Sequence, residues 1–250
     1  MKHYQKIIMS LVFVVLLAGC SKRENMEVPQ GFLSKPGTVL MTHLGGLETP
    51  GYYKKGPQGL LDVAINESMG DDICARVKKI DATEIVDNNY YRRFGSAFEG
   101  KAFKVLKVKN AFTQKDFVKP ENDDTQHAPY DMKFLKERYK ADYALLLQPH
   151  EFGLTRDYYG FIPLGSPSGH ASLSFYLVNL SDNAIVGHYK ATLQEPSCDD
   201  WDTPPDYKGL VEASKNALVK SFNEAYAFFF KTQDQLPVSA SLRPGSGLNS

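Results

Sequence analysis

Hydrophobic and polar residues alternate most regularly in the second half of the chain. Over residues 171–180, the apolar side chains of Leu173, Phe175 and Leu177 alternate with polar ones, and a second alternating run covers residues 184–193. A period of two residues is typical of β-strands. The short polar sequence at residues 181–183 separates the two runs, so we predict a β-hairpin.

The same patterns predict the remaining elements. Strands are expected over residues 38–44, 103–108 and 143–148, and the last is a continuous apolar run of the kind found in central strands. Helices are expected over residues 60–79, 83–98, 130–139 and 207–231. Glycine and proline are frequent at residues 48–59, where we predict no regular element, and residues 150–169 are predicted to be a long connection with a turn at 165–169.

The start of the chain has the layout of a secretory signal. Lys2 and Lys6 precede an apolar run over residues 7–17, which ends in Leu17-Ala18-Gly19-Cys20. These four residues resemble a bacterial lipobox, the signal of the lipoprotein family. The resemblance implies cleavage after residue 19 and acylation of Cys20. The apolar run is too short for a membrane-spanning helix, but an ordinary signal peptide with a coincidental cysteine stays an alternative.

The lipobox and the composition of the chain together predict four parts. They are a lipoprotein signal peptide at residues 1–19, a flexible lipidated tether at 20–37, an α/β periplasmic domain at 38–231 and a disordered tail at 232–250. Ser21 follows the cysteine, and in the family's sorting pattern this favours the outer membrane. The expected location is therefore the bacterial cell envelope, with the domain facing the periplasm. The expected partners are the lipid bilayer, through acylated Cys20, and an envelope protein or further copies of this chain.

A second resemblance concerns the fold. Residues 134–145 read as a helix that ends in a sequence similar to KYGADY and leads into a central strand, and residues 177–186 form the centre of the predicted hairpin. This arrangement resembles the envelope lipoproteins that share the fold of the TolB amino-terminal domain and of the curli-secretion lipoprotein CsgG. The resemblance implies an α/β fold with a single mixed β-sheet, a C-terminal hairpin and packed helices. It also implies a non-enzymatic role in assembling, docking or activating another envelope machine.

Composition and short motifs indicate few candidate functional sites. The 29 basic and 29 acidic residues balance, and no long block of like charge points to a nucleic-acid partner. Five histidines between His43 and His188 stand singly, without the paired spacing of a zinc site. In the sequence Gly-Ser-Pro-Ser-Gly at residues 165–169, Pro167 occupies the place of a nucleophilic serine. We therefore predict no catalytic, cofactor or metal site.

Two cysteines remain beyond the signal. Cys74 and Cys198 can pair in an oxidising compartment, or stay apart as a helix residue and a loop thiol. The sequence leaves both alternatives open.

The candidate for partner binding is the stretch at residues 156–164, because arginine beside aromatic residues is common in binding hot spots. Its selected residues are Arg156, Tyr158, Tyr159 and Phe161. Alternatively, the stretch folds back and buries its own aromatic rings. The predicted function is a structural, docking or accessory subunit of an envelope assembly. The alternatives are a ring-forming secretion or export component, and a hydrolase that uses Ser168 or a histidine.

Overall fold

The computed structural model describes residues 23–57, 80–109, 112–120, 124–197, 201–203 and 206–231. Several predictions fall outside these ranges and stay predictions. They are the signal peptide, the acylation of Cys20, the helix over residues 60–79, the pairing of Cys74 with Cys198 and the disordered tail.

Six strands form one mixed sheet. They are β1 (Gly37–His43), β2 (Gly51–Lys55), β3 (Phe103–Lys107), β4 (Tyr143–Tyr159), β5 (Ile162–Asn179) and β6 (Ile185–Pro196). The order is β3-β1-β4-β5-β6, and β2 pairs with the distal half of β4. The contacts of β1 with β3 and of both β1 and β2 with β4 are parallel, whereas β4, β5 and β6 are antiparallel neighbours. The structure confirms the predicted α/β class with a single mixed sheet.

Three helices of the described ranges accompany the sheet. Helix α1 runs through Thr83–Val86, a π-helical stretch at Asp87–Phe94 and Gly95–Glu99. Helix α2 covers Phe134–Tyr139 and is shorter than predicted. Helix α3 covers Lys208–Tyr226 and continues as a π-turn over Ala227–Lys231. Two shorter 3₁₀ turns lie at Phe32–Ser34 and Gln114–Asp116.

The buried stripe of α1 explains its π-helical centre. Val86, Tyr90, Phe94 and Phe98 recur every four residues and are all buried. In an α-helix, with 3.6 residues per turn, such a stripe drifts by about 40° at each step. The wider turn of a π-helix keeps the four side chains aligned toward the sheet. The helix predicted over residues 83–98 is therefore confirmed.

Two hydrophobic cores lie on opposite faces of the sheet. One fills the space between the sheet and helices α1 and α3, and Leu145, Phe175 and Phe222 are among its fully buried members. The other lies under α2 and includes Met132 and Leu135. Burial on both faces accounts for the continuous apolar run at the start of β4.

The prediction that residues 48–59 contain no regular element is wrong. Gly51–Lys55 form β2, in register with Gly153–Asp157 of β4. Glycine at 153 allows the two backbones to approach, since it has φ +134° and an added Cβ would lie 2.2 Å from the Gly51 carbonyl oxygen. The Tyr53 hydroxyl accepts a hydrogen bond from the Phe152 amide at 3.2 Å, beside the bulge in β4 between Pro149 and Glu151.

The prediction of a long connection at residues 150–169 is also wrong. Strands β4 and β5 stay paired across two register shifts, up to the pair Tyr159 and Ile162. Residues 165–169, predicted as a turn, lie within β5. Proline and glycine are tolerated here because bulges interrupt the ladder.

Residues 23–36 are not a flexible tether. Val28, Phe32 and Leu33 are buried in the core on the α1 and α3 face. Met26 forms an antiparallel bridge with His188 of β6, and the amide of Lys190 donates to Asn25 Oδ1 at 2.9 Å. The apolar residues of this otherwise polar segment thus pack against the domain, and Met26 pairs with the edge of the sheet.

Candidate docking surface

The β4–β5 hairpin ends in a group of exposed apolar side chains, which we call the hairpin tip. It consists of Tyr159, Phe161, Ile162 and Leu164, whose exposed fractions are 69%, 51%, 51% and 52%. The turn between the strands has two residues, Gly160 and Phe161. Gly160 has φ +61°, in the left-handed region that favours glycine. A tight turn therefore presents four large apolar side chains to solvent.

The base of the hairpin is held by hydrogen bonds. The hydroxyl groups of Tyr52 and Tyr158 lie 3.0 Å apart, and Tyr158 is 8% exposed. Burial raises the pKa of Tyr52, so the Tyr52 hydroxyl stays protonated. Arg156 Nε donates to the Gly165 carbonyl at 2.8 Å, and its guanidinium lies 5.2 Å from the centroid of the Trp201 ring.

The four residues predicted to bind a partner thus fall into two groups that differ in exposure. Arg156 and Tyr158 contact the domain itself, whereas Tyr159 and Phe161 are exposed. Ile162 and Leu164 belong with the exposed pair. Sequence reasoning did not select them, although an uninterrupted strand pattern through residue 164 would have placed them beside Tyr159.

A cleft of about 980 Å³ lies along the free edge of β6. On one side it is lined by the N-terminal segment at residues 23–25, and on the other by His150, Glu151 and Ser172. Lys190, Thr192 and Leu193 form the part that belongs to the strand edge. Acidic and basic side chains are mixed along this cleft, so charge alone does not define a ligand.

A buried histidine adjoins this cleft. His170 Nδ1 lies 3.1 Å from the Leu193 carbonyl oxygen, and Nε2 lies 2.6 Å from Glu151 Oε2. Because both ring nitrogens face acceptors, a proton lies between His170 and Glu151. Burial lowers the pKa of His170, and the hydrogen bond to Glu151 opposes that effect. The imidazole of His170 and the carboxyl group of Glu151 therefore hydrogen-bond to each other.

A smaller pocket of about 260 Å³ lies at the carboxyl end of β1. There the Tyr91 hydroxyl donates to the Val108 carbonyl at 2.9 Å and lies 2.6 Å from His43 Nδ1. Burial lowers the pKa of His43 and raises that of Tyr91. The hydroxyl therefore remains a protonated hydrogen-bonding group and is poorly suited to act as a nucleophile.

Neither Ser168 nor Ser174 forms an accessible serine–histidine pair. Within the described ranges, no histidine side chain forms a hydrogen bond with Ser168. His150 Nε2 does meet Ser174 Oγ, at 2.8 Å, but Ser174 is only 1% exposed. A nucleophile must reach its substrate, so this pair is better suited to stiffening the sheet than to catalysis.

Two further searches cover the described residues only. Among them, no three side chains of His, Cys, Asp or Glu lie close enough together to hold a metal ion. Nor does any helix in these ranges have the length and apolar character needed to cross a membrane.

Comparisons with known proteins gave structural neighbours only. No protein-family model matches the sequence, and none of the curated proteins matches it. Protein XCC0632 from Xanthomonas campestris is 15% identical, with a TM-score of 0.40 over 83% of this chain and 90% of that one. The PelC dodecamer from Paraburkholderia phytofirmans is 11% identical, with a TM-score of 0.30 over 79% of this chain and 94% of that one. Lipoprotein GNA1162 from Neisseria meningitidis is 13% identical, with a TM-score of 0.32 over 76% of this chain and 99% of that one. The solved structures similar to this chain thus include a bacterial lipoprotein.

Proposed function

We propose that this protein is a periplasmic lipoprotein, anchored to the outer membrane through acylated Cys20, that docks another envelope protein and catalyses no reaction. The observation that carries this proposal is the hairpin tip. Its four exposed apolar side chains lie within six residues at the end of one hairpin, whereas monomeric surfaces usually scatter such residues singly.

The geometry of the hairpin suits a docking element. Aromatic residues bury large areas at low entropic cost. Because the tip side chains are between 51% and 69% exposed, each would contribute roughly 1–2 kcal/mol if a partner pocket buried the rest of it. The hydrogen bonds of Tyr158 and Arg156 hold the base in place. Because the hairpin is ordered before binding, little additional conformational entropy is lost on docking.

Site-specific photo-crosslinking in cells tests the proposal. A photoreactive amino acid at position 161 is expected to capture one discrete envelope protein. The matched control carries the same group at position 118, because Val118 is apolar and 73% exposed but is not part of the hairpin tip. Capture of lipid, equal capture from both positions, or no capture would contradict docking through the tip.

A double variant separates binding from folding. Tyr159→Ser with Phe161→Ser removes the two exposed rings and should leave the circular dichroism and the melting temperature unchanged. With the photoreactive group moved to position 164, the partner should no longer be captured. A variant that unfolds would instead show that these rings stabilise the domain.

A further inference from the structure

We propose that the smaller pocket, at the carboxyl end of β1, binds a primary alkylammonium group. The pocket has a volume of about 260 Å³, which suits a short alkyl chain better than a drug-sized molecule. This site is separate from the hairpin tip, and the proposal does not rest on the proposed function.

The pocket lies where the fold brings three elements together. His43 is the last residue of β1, and Lys109 follows the parallel strand β3. Residues 82–87, which contribute to the lining, include the N-cap and the first turn of α1. Crevices at the carboxyl ends of parallel strands are the usual place for ligands in α/β folds. The position of this pocket is therefore typical of a binding site.

A buried imidazole nitrogen of this pocket is free to accept a hydrogen bond. His43 is 7% exposed. Because the Tyr91 hydroxyl gives its proton to the Val108 carbonyl at 2.9 Å, it accepts from His43 Nδ1 at 2.6 Å. The imidazole proton is therefore on Nδ1, and Nε2 has a lone pair. Burial lowers the pKa of His43, so this neutral form is present at pH 7. None of the described residues donates a hydrogen bond to Nε2.

A carboxylate faces this nitrogen. Glu48 Oε2 accepts from the Gly46 amide at 2.7 Å, whereas Oε1 lies 3.6 Å from His43 Nε2. Burial opposes the ionisation of Glu48, but hydrogen bonds from the backbone amides of Gly46 and Glu48 outweigh it and lower the pKa of this carboxyl. Two acceptors do not hydrogen-bond to each other, so a donor that lies about 2.9 Å from each would satisfy both. An ammonium nitrogen has the donors to do so.

The charge of the pocket selects a cation. Glu48 and Asp87 are acidic, and Lys109 Nζ compensates Asp87 through a contact of 2.7 Å with Oδ2. With the imidazole neutral, the net charge of the lining residues is −1, and Glu48 has no cationic partner among the residues that the structure describes. The positive end of α1 does not cancel this charge, because Asp81 Oδ1 already accepts from the Thr83 amide at 2.8 Å.

The pocket also has an apolar wall. Leu47, Ala82 and Val86 line it beside the polar groups, and an alkyl chain that enters with the ammonium group would be removed from water against them. A metal ion would gain nothing from this wall, and in the described ranges no three ligating side chains lie close enough to hold one. The ligand class is therefore an aliphatic amine, either a free one or the end of a lysine side chain.

Titration of the full-length protein in detergent with butylammonium chloride tests the proposal. The imidazole ¹⁵N resonances of His43 report on the site directly, and we expect a saturable shift of Nε2 with a dissociation constant on the order of 1 mM. Butanol and sodium butyrate have the same alkyl length but no ammonium group, and they should bind at least about tenfold more weakly.

A charge-removing variant tests the role of Glu48. Glu48→Gln should weaken the binding of butylammonium by about tenfold or more, because the ammonium group loses its ion pair. The Glu48 side chain is 57% exposed, so the fold should persist, which circular dichroism checks. Glu99→Gln is the matched control: it removes the same charge at an exposed position in the last turn of α1 and should bind like the wild type.

Two further probes distinguish the source of the amine. Putrescine represents free aliphatic amines, and Nα-acetyl-lysine methylamide represents a lysine side chain of a protein. A preference for one of them identifies the source. The absence of a saturable shift with all three amines, equal affinity for butylammonium and butanol, or binding that is unaffected by Glu48→Gln would overturn the proposal.

Discussion

Replacing Gly169 with alanine tests how closely helix α3 lies on the sheet. A Cβ added at Gly169 in β5 would lie 2.0 Å from the Ala213 carbonyl oxygen and 2.5 Å from the Ser214 amide nitrogen. Both atoms belong to the backbone of α3, so no side-chain rotation relieves the clash. The methyl group fits only if the helix retreats by about 1.4 Å, the difference between 2.0 Å and an ordinary contact of 3.4 Å.

Such a retreat weakens a large part of the core. A gap of 0.5–1 Å already removes roughly a quarter to a half of the dispersion energy between facing atoms. The loss affects Ala217, Leu218 and Phe222, which are fully buried on α3. We therefore expect a cost of about 3 kcal/mol, at the upper end of the range for overpacked cores. For a domain of this size, that lowers the melting temperature by about 6–12 °C.

Thermal and urea unfolding, followed by circular dichroism, measure this cost. Gly100→Ala is the control: its Cβ would lie 3.4 Å from the nearest atom, and Gly100 has the ordinary φ of −66°. This control should change stability by less than about 1 kcal/mol. Equal melting temperatures for Gly169→Ala and the wild type would refute the close contact between β5 and α3.

Two further predictions concern buried polar groups. Tyr90→Phe should destabilise the protein by about 1–2 kcal/mol, because the buried hydroxyl lies within hydrogen-bonding distance of the Thr42 and Leu145 carbonyls. Tyr159→Phe, at an exposed hydroxyl, should change the urea midpoint little, and an equal loss in both would contradict this reasoning. Stability should also fall as the pH drops below about 6.5, where the unfolded chain binds protons that buried histidines do not. The pKa is lowered, chiefly by burial, for His43, His150 and His188. A urea midpoint at about pH 5.5 equal to or above that at about pH 7.5 would exclude this linkage.

The sequence predicted elements whose burial follows a regular period. The alternation at Leu173 and Phe175, and the four-residue spacing in α1, reflect side chains that face one core, so the hairpin and the helix were predicted correctly. The apolar run at 143–148 likewise marked the buried half of β4.

The missed elements depend on contacts between distant parts of the chain. Strand β2 contains no alternation and is rich in tyrosine and lysine, and its pairing partner lies about 100 residues further on. The extension of β4 and β5 to the hairpin tip contains glycine and proline, which are tolerated only because bulges absorb them. The sequence did not distinguish the buried Tyr158 from the exposed Tyr159, because adjacent strand residues differ only in the face of the sheet on which they lie.

Under the proposed acylation of Cys20, the packed N-terminal segment would limit how far this protein can extend from a membrane. Asn25 is fixed to β6, and five residues of fully extended chain span about 17 Å. An acylated Cys20 would therefore keep the β6 edge within that distance of the lipid. The hairpin tip lies about 38 Å further along and across the sheet, so with this anchor it would reach at most roughly 55 Å from the bilayer. Under the proposed anchoring, a partner that docks on the tip would have to come within this distance of the membrane surface, and proteins confined to the distant side of the periplasm would be out of reach.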